Sequence, residues 1–191
     1  HELNKKNIYS CPQTLFKIHP DFDQIIFDIL EKDKKGVVYL IKDSNKVWYK
    51  KLIKRLSKNK KYDPKKIIFM DPLNYEDYLL HLGRSSVLLD PLYYGAGNSF
   101  FESMLFGTPT ITFPTDYIKS RLVLGAYKQM EIKHPPIATS IQNYIDLAVK
   151  YANRDDIRAL KDTYKTAAEE KLFNTKKAGE EFNKIISNLF N

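Results

Sequence analysis

A loop at residues 90–102 carries the residue types of an anion site. It reads Asp-Pro-Leu-Tyr-Tyr-Gly-Ala-Gly-Asn-Ser-Phe-Phe-Glu and follows a short apolar run. Gly95 and Gly97 permit close approach to the backbone or a positive φ. Asn98 and Ser99 stand where a helix should begin, so they can cap it while its first amides point at an anion. The loop predicts a phosphate site, although an ordinary strand-to-helix turn with a capping Asn98 explains the same residues.

Glu102 adds a carboxylate to this loop. It lies four residues after Asn98, on the same helix face and one turn deeper. A carboxylate there can accept two hydrogen bonds from a ribose diol while phosphates sit at the helix end. The loop is not a Walker A motif, because no Gly-Lys-Ser/Thr follows, and Phe100 occupies the third glycine position of G-x-G-x-x-G.

A second loop, residues 11–20, separates the first predicted strand from the first predicted helix. Its Lys17 could neutralise a diphosphate as a compact point charge. A solvated surface lysine is the alternative in so lysine-rich a chain. Loops that follow parallel strands meet at the carboxyl edge of the sheet, where ligands bind. We therefore expect Lys17 to face the glycine-containing loop.

The remaining polar candidates are weaker. His19, His81 and His134 are far apart in the chain and lack metal-ligand spacing, so no metal site is predicted. Tyr75 and Tyr78 could pack on a nucleobase, but aromatic residues at helical spacing usually belong to a core.

Strands and helices alternate along the first two thirds of the chain. Short apolar runs predict strands at 8–11, 37–41, 67–70, 87–90 and 110–113, and amphipathic runs predict helices at 20–33, 45–57, 75–82 and 98–106. Further helices are predicted at 118–128, 140–153, 154–171 and 175–189. Continuous apolar strands between helices indicate an α/β fold with a Rossmann-like parallel sheet. We expect one domain, with a core at 8–134 and a helical extension at 135–191.

Composition limits the class of protein. The 191 residues fit one domain, and the polar N-terminus and the lack of a long apolar stretch predict neither a signal peptide nor a membrane span. Cys11 is the single cysteine, which favours a cytoplasmic location. The net charge of +8 is concentrated between Lys50 and Lys61 without interleaved aromatic residues. That pattern favours a solvated helix face over a nucleic-acid-binding stripe.

Five segments, taken together, resemble a known family. They are 13–20 (Gln-Thr-Leu-Phe-Lys-Ile-His-Pro), 89–91 (Leu-Asp-Pro) with 95–102 (Gly-Ala-Gly-Asn-Ser-Phe-Phe-Glu), 107–109 (Gly-Thr-Pro), 120–121 (Ser-Arg) and 172–175 (Leu-Phe-Asn-Thr). In this order they resemble the C-terminal catalytic half of O-GlcNAc transferase-like glycosyltransferases, a family that includes Spindly-like and bacterial protein glycosyltransferases. The similarity runs from about residue 9 to residue 190.

The resemblance implies a GT-B fold, in which the active site lies between two Rossmann-like halves. This chain resembles the half that binds the nucleotide sugar, and the acceptor half is absent from it. By motif, Lys17 would contact the diphosphate. Asn98 and Ser99 would bind phosphate, and Glu102 would hold the ribose. Residues 73–81, with Leu73 and Tyr78, would flank the uracil.

The chain departs from the family pattern at three positions. Thr14 stands three residues before Lys17, where the animal enzymes have glutamine and where it would contact the donor, and Gln13 is one place earlier. Gly97 and Tyr78 stand where the family has histidines. These departures concern the sugar and base contacts more than the diphosphate site.

The implied activity is inverting transfer of GlcNAc or another hexose from UDP to a protein or peptide, without a metal ion. The implied partners are therefore a UDP-sugar and a protein acceptor that reaches the site through the missing half. The isolated chain would bind UDP and transfer little sugar. Two alternatives remain: a half of another GT-B sugar-nucleotide enzyme, such as an epimerase type, or a basic binding module without catalysis.

Overall fold

The computed structural model describes residues 6–190, so most of the polar N-terminal segment used to argue against a signal peptide lies outside it. These residues form five strands: β1 (Asn7–Cys11), β2 (Gly36–Ile41), β3 (Ile67–Met70), β4 (Val87–Leu89) and β5 (Thr110–Ile111). They form eight α-helices: α1 (Pro20–Lys32), α2 (Val47–Leu56), α3 (Tyr75–Arg84), α4 (Asn98–Met104), α5 (Leu122–Gln129), α6 (Ile141–Ala152), α7 (Ile157–Ala167) and α8 (Thr175–Phe190). Short 3₁₀ turns at Leu15–Lys17 and Ile118–Ser120 and a π-turn at Ala168–Leu172 complete them.

The sheet has the strand order β3-β2-β1-β4-β5, and every pair is parallel. The chain builds outward from β1 to β3 and then returns to the other side of β1 as β4. The order therefore reverses between β1 and β4, the position at which open parallel sheets bind ligands. The loops that leave these two strands are the two loops singled out in the sequence. The predicted Rossmann-like sheet is confirmed.

Two apolar clusters hold the helices in place. The larger combines the sheet with α1 and α6, which contact each other through residues such as Phe22 and Tyr144. The smaller joins α4, α5 and α7 around Phe100, Tyr127 and Tyr164. Helices α6 and α7 lie in the predicted extension 135–191, yet they cover the core of the sheet and of α4.

Some predicted elements are wrong in detail. The helix predicted at 118–128 is broken at Arg121 (φ −112°, ψ 0°), whose amide donates to the Ile118 carbonyl and closes a 3₁₀ turn before α5. The Ser120 hydroxyl accepts from the Thr115 amide beside this turn. The helix predicted at 154–171 is shorter and ends in the π-turn. In α2, Leu52 and Leu56 are buried, whereas Val47 and Trp48 in its first turn are 44% and 42% exposed.

Candidate functional site

Lys17 lies beside the glycine-containing loop, as predicted. The 3₁₀ turn after β1 directs its ammonium to the Gln13 Oε1 (2.9 Å) and to the Gly95 carbonyl oxygen (3.3 Å). The ammonium also lies 4.3 Å from the centre of the Tyr94 ring, within cation–π range. Partial burial lowers the pKa of Lys17, and the nearby Asp90 carboxylate opposes that shift. The two loops therefore place a positive charge, the Lys17 ammonium, at the switch point of the sheet.

Thr14, the predicted neighbour of Lys17 at the site, does not turn inward. Its side chain is exposed and makes no capping bond to the 3₁₀ turn. Gln13 takes the inward position: it is buried, its Oε1 accepts from Lys17, and its Nε2 donates to the Ser99 Oγ. The sequence offered one indication of this role: the family has a glutamine three residues before the lysine, and Gln13 is the glutamine one place earlier.

Helix α4 begins at Asn98, but the predicted capping by Asn98 or Ser99 is wrong. Gly97 is the N-cap residue and no side chain caps the helix. The Ser99 hydroxyl is instead taken up by Gln13 from the neighbouring loop. Within residues 6–190, the first turn of α4 therefore has no side-chain cap, and its amides lie at the end of the loop.

Gly95 is required by a close approach, and neither glycine of the loop has a positive φ. Neither appears among the positive-φ residues of the described chain, where this loop contributes Tyr93 (φ 69°). A Cβ on Gly95 would lie 2.9 Å from Asp90 Oδ1. A Cβ on Gly97 would meet only the Leu122 Cδ1 at 3.8 Å, so the space before Gly97 is open.

Asp90 is a site residue that sequence reasoning passed over, although it directly follows a buried strand. Its buried carboxylate accepts the Ala96 amide on Oδ1 (2.5 Å) and the Thr112 hydroxyl on Oδ2 (2.7 Å). Burial raises the pKa of Asp90 to about 7, and the two hydrogen bonds and Lys17 oppose this rise. The carboxylate thus ties the glycine-containing loop to the end of β5.

The raised pKa of Asp90 predicts a pH-dependent effect of the Asp90→Asn substitution. Between about pH 4 and pH 7 the folded state keeps a proton on Asp90 that the unfolded chain has released, so raising the pH favours unfolding. Asparagine does not titrate, so the Asp90→Asn variant does not lose stability in this way as the pH rises. We expect its melting temperature, relative to the parent, to rise steadily from pH 4 to pH 7.5. A difference that stays flat over this range contradicts the assignment.

The structure brings Glu102 and Tyr78, two residues predicted to contact the donor, next to each other. Helices α3 and α4 pack side by side, and the Tyr78 hydroxyl donates to Glu102 Oε2 at 3.1 Å. Burial and then the Glu102 charge raise the pKa of Tyr78, so its hydroxyl remains a donor at neutral pH. Leu73 is half-buried in the loop before α3, while Tyr75 is 61% exposed.

Two features are absent from residues 6–190. No three His, Cys, Asp or Glu side chains of this part cluster as metal ligands would. No helix in it has both the length and the apolar character to cross a bilayer.

Solved structures share the fold at low sequence identity. An O-GlcNAc transferase mutant from Thermobaculum terrenum superposes with a TM-score of 0.79 at 16% identity, over 96% of this chain and 38% of that one. Anabaena HepE in complex with UDP and glucose gives 0.67 at 12%, over 96% and 48%. The pneumococcal O-GlcNAc transferase GtfA in complex with UDP and GlcNAc gives 0.61 at 14%, over 96% and 36%. The chain thus spans less than half the length of these relatives.

The fold is therefore that of one half of a GT-B glycosyltransferase. No curated protein sequence is significantly similar to the chain. The model of glycosyl transferase family 41 matches residues 2–182, which is nearly the whole sequence. This chain belongs to glycosyl transferase family 41.

Proposed function

We propose that this chain is the UDP-sugar-binding half of an inverting glycosyltransferase that transfers GlcNAc or another hexose from UDP to protein. The observation that carries the proposal is the juxtaposition of the Lys17 ammonium with the Gly95 loop at the switch point of the sheet. Two relatives with this fold hold UDP together with a sugar. Membership of the family supports the reaction class.

Different residues contact the diphosphate, the ribose and the uracil of the donor. Lys17 and the amides at Asn98 and Ser99 face the diphosphate and stabilise the negative charge that grows on it as the bond to the sugar breaks. Glu102 accepts hydrogen bonds from the ribose diol with the same carboxylate that accepts from the Tyr78 hydroxyl. Tyr78 and Leu73 line the side on which the uracil lies.

In this reaction the acceptor attacks the anomeric carbon of the sugar from the face opposite the departing UDP, which inverts the configuration. A fixed ammonium supplies the charge neutralisation at the diphosphate, so we propose that no metal ion is required. The acceptor groups belong to a part of the enzyme outside this sequence, since the chain covers only part of its relatives' length.

A panel of nucleotides read by thermal shift tests the donor assignment. UDP and UDP-sugars are expected to raise the melting temperature, with GDP and ADP having little effect, and EDTA should not change the response. A ligand at 100 times its dissociation constant stabilises a protein by about 2.7 kcal/mol, a shift that is easily measured. Stabilisation by GDP or ADP alone would assign the site to another sugar nucleotide.

A further inference from the structure

One peptide group connects the Asp90 carboxyl group, which is charged above about pH 7, with the Lys17 ammonium. The N–H of Ala96 donates to the Asp90 carboxylate at 2.5 Å, and the carbonyl oxygen of Gly95 accepts from the Lys17 ammonium at 3.3 Å. This N–H and this C=O belong to the same planar peptide unit and, in the trans form, point in opposite directions. The carboxylate and the ammonium therefore lie on the two sides of the Gly95–Ala96 peptide.

The carboxylate in this arrangement is fixed from several directions. Thr112 donates to its second oxygen at 2.7 Å, and the Tyr144 hydroxyl donates to the backbone carbonyl of Asp90 at 2.9 Å. The lack of a Cβ on Gly95 lets the loop close against the carboxylate. Hydrogen bonds in a chain polarise one another, and charges interact more strongly in a buried setting than in water.

We propose that Asp90 is the positioning residue for Lys17: its buried carboxylate orients the Gly95–Ala96 peptide and keeps the ammonium protonated and aimed at the diphosphate. This inference rests on the proposed function only for the identity of the ligand as a diphosphate. The coupling of Asp90 to Lys17 is a property of the chain itself and can be measured without any nucleotide.

Three buried ionisable groups near the pair, Cys11, Tyr127 and Tyr144, stay neutral while Lys17 titrates. Burial lowers the pKa of Lys17, whereas the charge of Asp90 raises it. Burial raises the pKa of the Cys11 thiol to about 12 and that of Tyr127 and Tyr144 higher still, so all three stay neutral while Lys17 titrates. On the solvent side, a second ammonium, that of Lys119, lies 5.3 Å from the centre of the Tyr94 ring that Lys17 also contacts.

The test compares the titration of the Lys17 ammonium in three chains by NMR of labelled lysine side chains, assigned with Lys17→Arg, in the absence of nucleotide. In Asp90→Asn, which keeps the shape and loses the charge, the pKa of Lys17 should fall by roughly 1 unit or more. Thr112→Val loses a hydrogen bond to Asp90 and keeps the charge, so it should leave the pKa of Lys17 near that of the parent. A purely structural role for Asp90 would move both variants alike or neither, and either result overturns the proposal.

The reciprocal variant protects the test if Asp90→Asn folds poorly. Coupling between two sites is symmetric, so Lys17→Met should raise the pKa of Asp90 by about as much as Asp90→Asn lowers that of Lys17. If Lys17→Met leaves the pKa of Asp90 unchanged, the coupling is refuted. Shifted titrations in a chain that fails to bind UDP would instead leave the coupling intact and remove the proposed function.

Discussion

Combining Lys17→Met with Glu102→Gln in one chain is expected to abolish measurable UDP binding. Methionine keeps the length of Lys17 and removes its charge, and glutamine keeps the shape of Glu102 and removes the carboxylate that would accept the ribose hydroxyls. A hydrogen bond to a charged group contributes about 1.5–3 kcal/mol, so losing two weakens binding by roughly 10²- to 10⁴-fold. Isothermal titration calorimetry with UDP measures the loss.

The control for this experiment is Lys58→Met. Lys58 is an exposed lysine just after α2, in the lysine-rich stretch away from the glycine-containing loop. It should leave UDP affinity unchanged. A chain whose ligand affinity survives the double substitution, and instead falls steeply with salt, would be a basic binding module.

Gly107→Ala is expected to have the largest effect on stability. Gly107 follows α4 with φ +61°, in the left-handed region that side chains rarely adopt. A Cβ there would lie 1.8 Å from the carbonyl oxygen of Lys161 and 2.9 Å from the amide nitrogen of Lys165, both backbone atoms of α7. Since neither can rotate away, α4 and α7 must separate. We expect a loss on the order of 3–5 kcal/mol in the free energy of unfolding, measured by urea denaturation.

Gly125→Ala supplies the matched control for that substitution. Gly125 lies exposed within α5, and a Cβ there meets no atom within 4 Å. Alanine favours the helix over glycine, so this variant should gain about 0.5–1 kcal/mol. If the two variants unfold at the same urea concentration, the close approach of α4 to α7 is wrong.

The sequence was sufficient for the sheet and for the position of the two loops. Apolar runs such as 37–41 and 87–90 lack the alternation of apolar and polar residues that a strand with one solvent-exposed face shows. They therefore predict a parallel sheet that is covered on both faces. Once the strands are parallel, the loops after 8–11 and 87–90 share an edge, and Lys17 must lie near Gly95. The observed contact at 3.3 Å agrees with that expectation.

Details that depend on tertiary contacts could not be predicted. The choice of Gln13 over Thr14 depends on the direction of a 3₁₀ turn, and capping by Ser99 fails because a neighbouring loop takes its hydroxyl. The role of Asp90 requires Thr112, 22 residues later in the chain, to lie beside it. Local propensity carries no information about such partners.

The proposed donor site can be examined in a crystal structure of this chain with bound UDP. We expect the diphosphate to lie within hydrogen-bonding distance of the Lys17 ammonium and the amides at Asn98 and Ser99, with the ribose on Glu102. A diphosphate bound elsewhere, with Lys17 still contacting Gln13, Gly95 and the Tyr94 ring, would contradict the proposal.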